Sequence, residues 1–200
     1  MTEKSLPRIY ADANMIIELG KKGRGWHTLN RADEIWFFEQ ILRASGDEVL
    51  EAYTSSISLS ECTHIKDNSD PNNLKTVYDK DVQEFFRNLL CSGTLIKIVQ
   101  DSVFVAEAGR DLLWKHDLRL SGMDAIHLAS AIDANCKEFL TWDEHMNDPK
   151  NTQKVAVLQK LGIRAILPSQ SEILPSQYRQ ARLTGLQPVS AIIPDVPCGE

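Results

Sequence analysis

The sequence predicts an α/β protein, a three-layer α/β/α sandwich around a central parallel sheet of about five strands. Short apolar runs, each closed by polar residues, alternate with longer segments of helical apolar spacing, and that alternation implies a parallel sheet covered by helices on both faces. The 42% hydrophobic content of the 200 residues is enough to bury one full core.

Arg8 to Ala11 (RIYA) reads as the first strand, ending at Asp12. Met15 to Leu19 reads as a short helix stopped by Gly20, and Glu34 to Ala44 as a second helix ending near Gly46. Glu48 to Tyr53 is the second strand, after which Ser55 and Ser56 can cap a helix holding Ile57, Leu59, Glu61 and Ile65. Asn73 to Leu90 has a helical stripe made by Leu74, Val77, Val82, Phe85, Phe86 and Leu89. Leu95 to Val99 is the third strand and Ser102 to His116 the helix after it. Another helix starts at Ser121, with an Ala-rich face suited to close packing on a sheet. Glu138 to Trp142 is the fourth strand, Thr152 to Leu161 a helix and Gly162 to Leu167 a fifth strand. Beyond Pro168 prolines break up the pattern, leaving a short helix over Gln177 to Leu183. The expected organisation is one domain over 1–167 and a C-terminal extension over 168–200.

Charge and composition exclude several classes. A formal net charge of −6 argues against nucleic-acid binding by an overall positive field. No apolar run approaches the roughly 18 to 20 residues needed to span a bilayer, and Met1 to Arg8 has no signal-like core. A cytoplasmic protein that is not membrane-bound is expected. Cys62, Cys91, Cys136 and Cys198 lack the spacing of a zinc knuckle or a disulfide framework. There is no G-x-S-x-G elbow for a serine nucleophile.

Asp12 and Asp143 fall at or just beyond the carboxyl ends of predicted strands, the edge where open α/β sheets bind ligands. Asp124 lies in the first turn of its helix and Glu61 on the helix after the second strand, so both can face that edge. Clustered carboxylates raise one another's pKa unless a cation neutralises them. Oxygen-only ligation suits Mg²⁺ or Mn²⁺, which keep open positions for phosphate oxygens.

The segments YADANMII, TSSISLSECTHI, GMDAIHLASAI and FLTWDEHM, in this order, resemble the four acidic motifs of the PIN-domain family, most closely its VapC-like toxin branch. The resemblance runs from about Arg8 to Leu167. It implies a PIN-like sheet and Mg²⁺- or Mn²⁺-dependent cleavage of RNA by Asp12, Glu61, Asp124 and Asp143, with Asn14 and Thr141 as polar companions. It further implies a cognate antitoxin as partner and a homodimer.

Each acid taken alone is equally a helix cap or a solvated carboxylate, and Asp124 in particular suits a first helical turn. Asp124 and His127 at i, i+3 have a spacing a zinc site can use, but a hydrogen-bonding histidine is the commoner role. The basic run Lys21 to His27, through Lys21, Lys22, Arg24 and Trp26, has the cations and aromatic of an RNA contact, and is also an ordinary solvated loop. Asp12-Ala13-Asn14 departs from the D-x-D of haloacid-dehalogenase folds. An inactive PIN-like RNA- or protein-binding module and another metal phosphoesterase remain the alternatives.

Overall fold

The computed structural model describes residues 5–26, 29–67 and 75–180. In chain order the elements are β1 (Arg8–Ala11), α1 (Ala13–Lys22), α2 (Ala32–Gly46), β2 (Glu51–Ser55), α3 (Ile57–Glu61), β3 (Ile65–Asp67), β4 (Lys75–Val77), α4 (Lys80–Cys91), β5 (Lys97–Val99), α5 (Val103–Trp114), α6 (Gly122–Asp133), β6 (Glu138–Leu140), α7 (Glu144–Asn147), α8 (Thr152–Lys160), β7 (Arg164–Ile166) and α9 (Ser176–Gln180). Five strands form the central sheet in the order β5-β2-β1-β6-β7, and every pairing in it is parallel. Such an order puts β1 in the middle and reverses direction on either side of it, which opens a crevice at the carboxyl edge there.

Side chains alternate across the sheet with a period of two. Ile9, Ala11, Ala52 and Leu140 pack on one face with α1, α2 and α4, through residues such as Ile16, Phe38, Ile41 and Leu89. Tyr10 and Phe139 point to the other face, among Leu112 of α5, Leu128 and Ala131 of α6 and Leu158 of α8. The expected three-layer sandwich is therefore present. No helix among the described residues is long and apolar enough to cross a membrane.

Several boundaries differ from the sequence expectation. Helix α1 runs through Gly20 to Lys22; a Cβ on Gly20 would meet the rings of Phe85 and Phe86 at 3.3 and 3.4 Å, so this glycine serves close packing against α4 and not termination. Strand β2 starts three residues late, because Glu48 adopts φ 55 and the amides of Val49 and Leu50 fold back onto Ala44 to close α2. Ile65 leaves the expected helix and pairs with Val77 in a separate antiparallel hairpin of β3 and β4, which also shortens the next helix to Lys80–Cys91. The expected start of that helix at Asn73, and residues 181–183 of the C-terminal helix, lie outside the described residues, as do His27 and Cys198.

Residues 168–180 lie against the domain. Buried Glu138 accepts hydrogen bonds from Ser171 Oγ (2.5 Å), Glu172 N (2.8 Å) and Arg164 Nη2 (2.8 Å), while Glu34 of α2 accepts from Ser169 N and Oγ. Tyr178 of α9 donates to Asp47 at 2.7 Å.

Candidate active site

Asp12 prolongs β1 by donating its amide to Leu140 O (3.0 Å), and its backbone occupies the N-cap of α1. Its carboxylate does not cap that helix, the usual use of an Asp here. Instead Oδ2 accepts from Asn14 Nδ2 (2.6 Å) and Thr141 Oγ1 (2.8 Å), leaving Oδ1 without a hydrogen bond among the described residues. Thr141 is fully buried, and its hydroxyl also accepts from Asn14 Nδ2 (3.2 Å) and Asp143 N (3.1 Å). One hydroxyl thus ties the ends of β1 and β6 together and fixes the orientation of Asp12.

Glu61 ends α3, and its Oε2 lies 2.7 Å from His127 Nε2. The imidazole is buried on α6; Nδ1 faces Tyr10 OH at 2.7 Å and Ser55 Oγ at 3.2 Å, and Nε2 lies 4.0 Å from Asp12 Oδ1. A neutral ring satisfies its two short contacts when Nε2–H donates to Glu61 and Tyr10 OH donates to Nδ1. Burial alone lowers the basicity of this ring, but the Glu61 hydrogen bond and the charges of Asp12, Glu61 and Asp101 outweigh it and hold the pKa above the ordinary value. Asp12 is shifted upward too, first by desolvation and then by the charges of Asp124 and Glu61, against the lowering effect of His127 and Thr141.

The structure brings Glu61 and Asp124 each into electrostatic reach of Asp12 and sets Asp143 beside Thr141. Asp124 closes a capping box with Ser121, its Oδ2 accepting from Ser121 N at 3.3 Å, and Asp143 caps α7 by accepting from His145 N at 2.8 Å. Each of these two carboxylates therefore spends an oxygen on a helix N-terminus, and among the described residues no three acid, His or Cys side chains are gathered as a metal site. The donor chemistry still fits a hard divalent cation: only oxygens face the edge beside the His127 ring, and Asp12, the most desolvated, has an open oxygen.

Asp101, just beyond β5, is not among the acids singled out from the sequence. Its Oδ2 accepts from Ser56 Oγ (2.5 Å) and from Ile57 N (3.1 Å) at the start of α3, and its Oδ1 from Ser130 Oγ (2.7 Å) of α6. It therefore positions both the helix of Glu61 and the helix of Asp124. The rule that selects Asp12 and Asp143, an acid directly past an apolar strand, stops one residue short of Asp101, because Gln100 stands between it and Val99; an acid within two residues of an apolar strand end is the signal that finds it.

The basic run lies elsewhere. Lys21 is buried and paired with Glu18 at 2.7 Å, and Lys22 with Glu39 at 2.6 Å, both on α1 and not on a loop. Arg24 pairs with Asp79 at 2.5 Å and lies over the ring of Trp26, which packs on the core. These cations already have internal partners.

Fold and site together define an α/β protein with a cluster of carboxylates at the carboxyl edge of a parallel sheet. The PIN domain family profile matches residues 9–151, and the chain belongs to the PIN-domain family, whose members are generally nucleases. A chain in the crystal structure of VapBC2 from Rickettsia felis bound to a DNA fragment from their promoter is similar at 13% identity and a TM-score of 0.46, over 80% of this chain and 97% of that one. Comparison with curated proteins finds no match.

Proposed function

We propose that the chain is a metal-dependent endoribonuclease that hydrolyses RNA phosphodiesters as the toxin of a toxin–antitoxin pair. The observation that carries the chemistry is Asp12, a buried carboxylate with one oxygen fixed by Thr141 and Asn14, the other open, and a pKa raised by desolvation beside two further acids. A cation at that edge offsets the charge repulsion, and Asp12, Asp124 and Asp143 would hold it. Bound Mg²⁺ or Mn²⁺ supplies Lewis acidity to the phosphoryl oxygens. Glu61 takes the proton of the attacking water at its carboxylate; the Nε2–H of His127 keeps that carboxylate aimed, and the Tyr10 hydroxyl on Nδ1 keeps the His127 ring in that tautomer. Family resemblance supports 5′-phosphate and 3′-hydroxyl ends, a small antitoxin as partner, a homodimer and a cytoplasmic location.

The decisive experiment is cleavage of a labelled oligoribonucleotide by the purified chain with Mn²⁺. Cutting that Asp12→Asn and Asp124→Asn abolish without unfolding supports the proposal, and equal cutting in EDTA refutes it. The helix-capping oxygens of Asp124 and Asp143 favour one alternative, a PIN-fold module that only binds RNA or protein. Calorimetric titration with Mn²⁺ separates the two, since absence of binding selects the module. A short upstream reading frame encoding a DNA-binding antitoxin would support the biological role.

A further inference from the structure

We infer that the cavity between residues 116–119 and the start of α8 is a phosphate subsite, which takes a phosphodiester of a single RNA strand beside the acidic edge. The inference rests on the nuclease reading for the strand, but its site stands on separate residues. The cavity has a volume of about 280 Å³, and His116, Arg119 and Lys154 line it against one acid, Asp117. Asn151 and Gln153, also in the lining, mark the N-terminus of α8, whose positive dipole end favours an anion.

Lys154 is the pointer to a ligand. Its side chain is about nine-tenths buried (relative exposure 9%), and its Nζ donates to one backbone carbonyl, His145 O, at 2.5 Å. No carboxylate lies within ion-pair distance of it among the described residues, so two of the three ammonium donors and the whole charge lack a counterpart. Buried charges are normally paired, because desolvation without compensation is far more costly for an ion than for a neutral group. Arg119 is exposed and likewise has no hydrogen bond or ion pair among the described residues. This contrasts with Lys21, Lys22 and Arg24, whose charges are matched by carboxylates.

The cavity is tied to the acids on two sides. Arg119 precedes Ser121, the cap of the helix that carries Asp124, by two residues. Lys154 holds the carbonyl of His145 in α7, the helix that Asp143 caps. A strand held at Asp12 that runs on past these two elements meets this pocket with another of its phosphates, and a chain of net charge −6 needs such a local cation cluster to engage a polyanion.

The test measures fluorescence anisotropy of a labelled single-stranded oligoribonucleotide with the full chain in chelator, where no cutting occurs. Arg119→Gln, an exposed change, should weaken binding about fivefold to tenfold and make the salt dependence shallower by about 0.7 for each phosphate that is no longer neutralised. Lys154→Met, which keeps the buried stem, should do the same, and inorganic phosphate should raise the melting temperature of the parent chain but not of Arg119→Gln. Unchanged affinity and salt slope in Arg119→Gln, with the parent binding, overturns the subsite. Adenosine monophosphate competing at lower concentrations than the oligonucleotide overturns the assignment to a strand. A parent chain that neither binds nor cuts RNA, yet is protected by phosphate through Arg119, keeps the pocket as an anion site and refutes the nuclease reading.

Discussion

Replacing Gly109 by Ala tests how tightly the acid-bearing helix is held. Gly109 lies mid-way along α5 where it crosses α6, and a Cβ there would sit 3.2 Å from Ala125 C and O and 3.3 Å from Ile126 N. Comfortable carbon contacts need about 3.5–4.0 Å, so α6 must retreat by a few tenths of an ångström. Forcing an extra methyl into a packed contact costs about 1–3 kcal/mol, and the better helix propensity of Ala returns about 1 kcal/mol. A net loss of about 0–2 kcal/mol lowers the melting temperature by up to about 8 °C in a chain of this length. The displaced residues flank Asp124 and His127 directly, so Mn²⁺-dependent cleavage should fall several-fold in a variant that remains folded, given that a displacement of about 1 Å can cost about 100-fold. Melting by circular dichroism and initial cleavage rates check both effects. A variant that gains the full propensity benefit and cuts like the parent would refute the claim that this crossing sets the position of α6.

Asp12→Asn should abolish cleavage yet raise the melting temperature of the chain in chelator. Because the folded-state pKa of Asp12 is raised, its protonated form contributes stability that is complete below the ordinary carboxylate range and is lost as pH rises through the folded value. His127 is raised as well, so its contribution is complete below about pH 6.5 and lost above. The metal-free parent should therefore melt lower at pH 8 than at pH 6, with a flatter profile in Asp12→Asn; a lower melting temperature for that variant would contradict the desolvation argument. Glu138→Ala should destabilise by about 1–3 kcal/mol, since it leaves the buried Ser171 hydroxyl and the Glu172 amide without their acceptor, and should raise proteolytic nicking within 168–180; retention of the parent melting temperature would show that the carboxylate is dispensable. Arg24→Gln should leave oligonucleotide affinity unchanged because that guanidinium is committed to Asp79, and a clear loss by anisotropy would put the RNA contact back on the run from Lys21 to Trp26.

Legibility of the fold follows the size of each signal. Strand β1 is legible to the residue because RIYA is short, apolar and closed by an acid, and α6 because Ser121 and Asp124 form a capping box. The β3–β4 hairpin is not, because strands of three residues have no measurable period, and Val77 fits a helical stripe until Ile65 pairs with it. Gly20 reads as a stop in sequence, whereas its reason is the Phe85 and Phe86 rings from a distant helix. The acids at strand ends are legible individually, and so are Asn14 and Thr141 beside Asp12, but the partners supplied by other helices are not. Nothing near Glu61 in sequence announces His127, and nothing near Ile57 announces that Asp101 caps its helix from 44 residues away.

Glu138 also imposes an order of assembly. Strand β6 lies beside the central strand, but its buried carboxylate finds the Ser171 hydroxyl only 33 residues further along the chain. During synthesis, β6 cannot settle against β1 with its carboxylate fully paired until both Arg164, which supplies the opposite charge, and Ser171 have left the ribosome. Thr141 and Asp143, which follow β6, therefore reach their final places late, and a nascent chain stays without a complete acidic edge until nearly all of the described fold has been made.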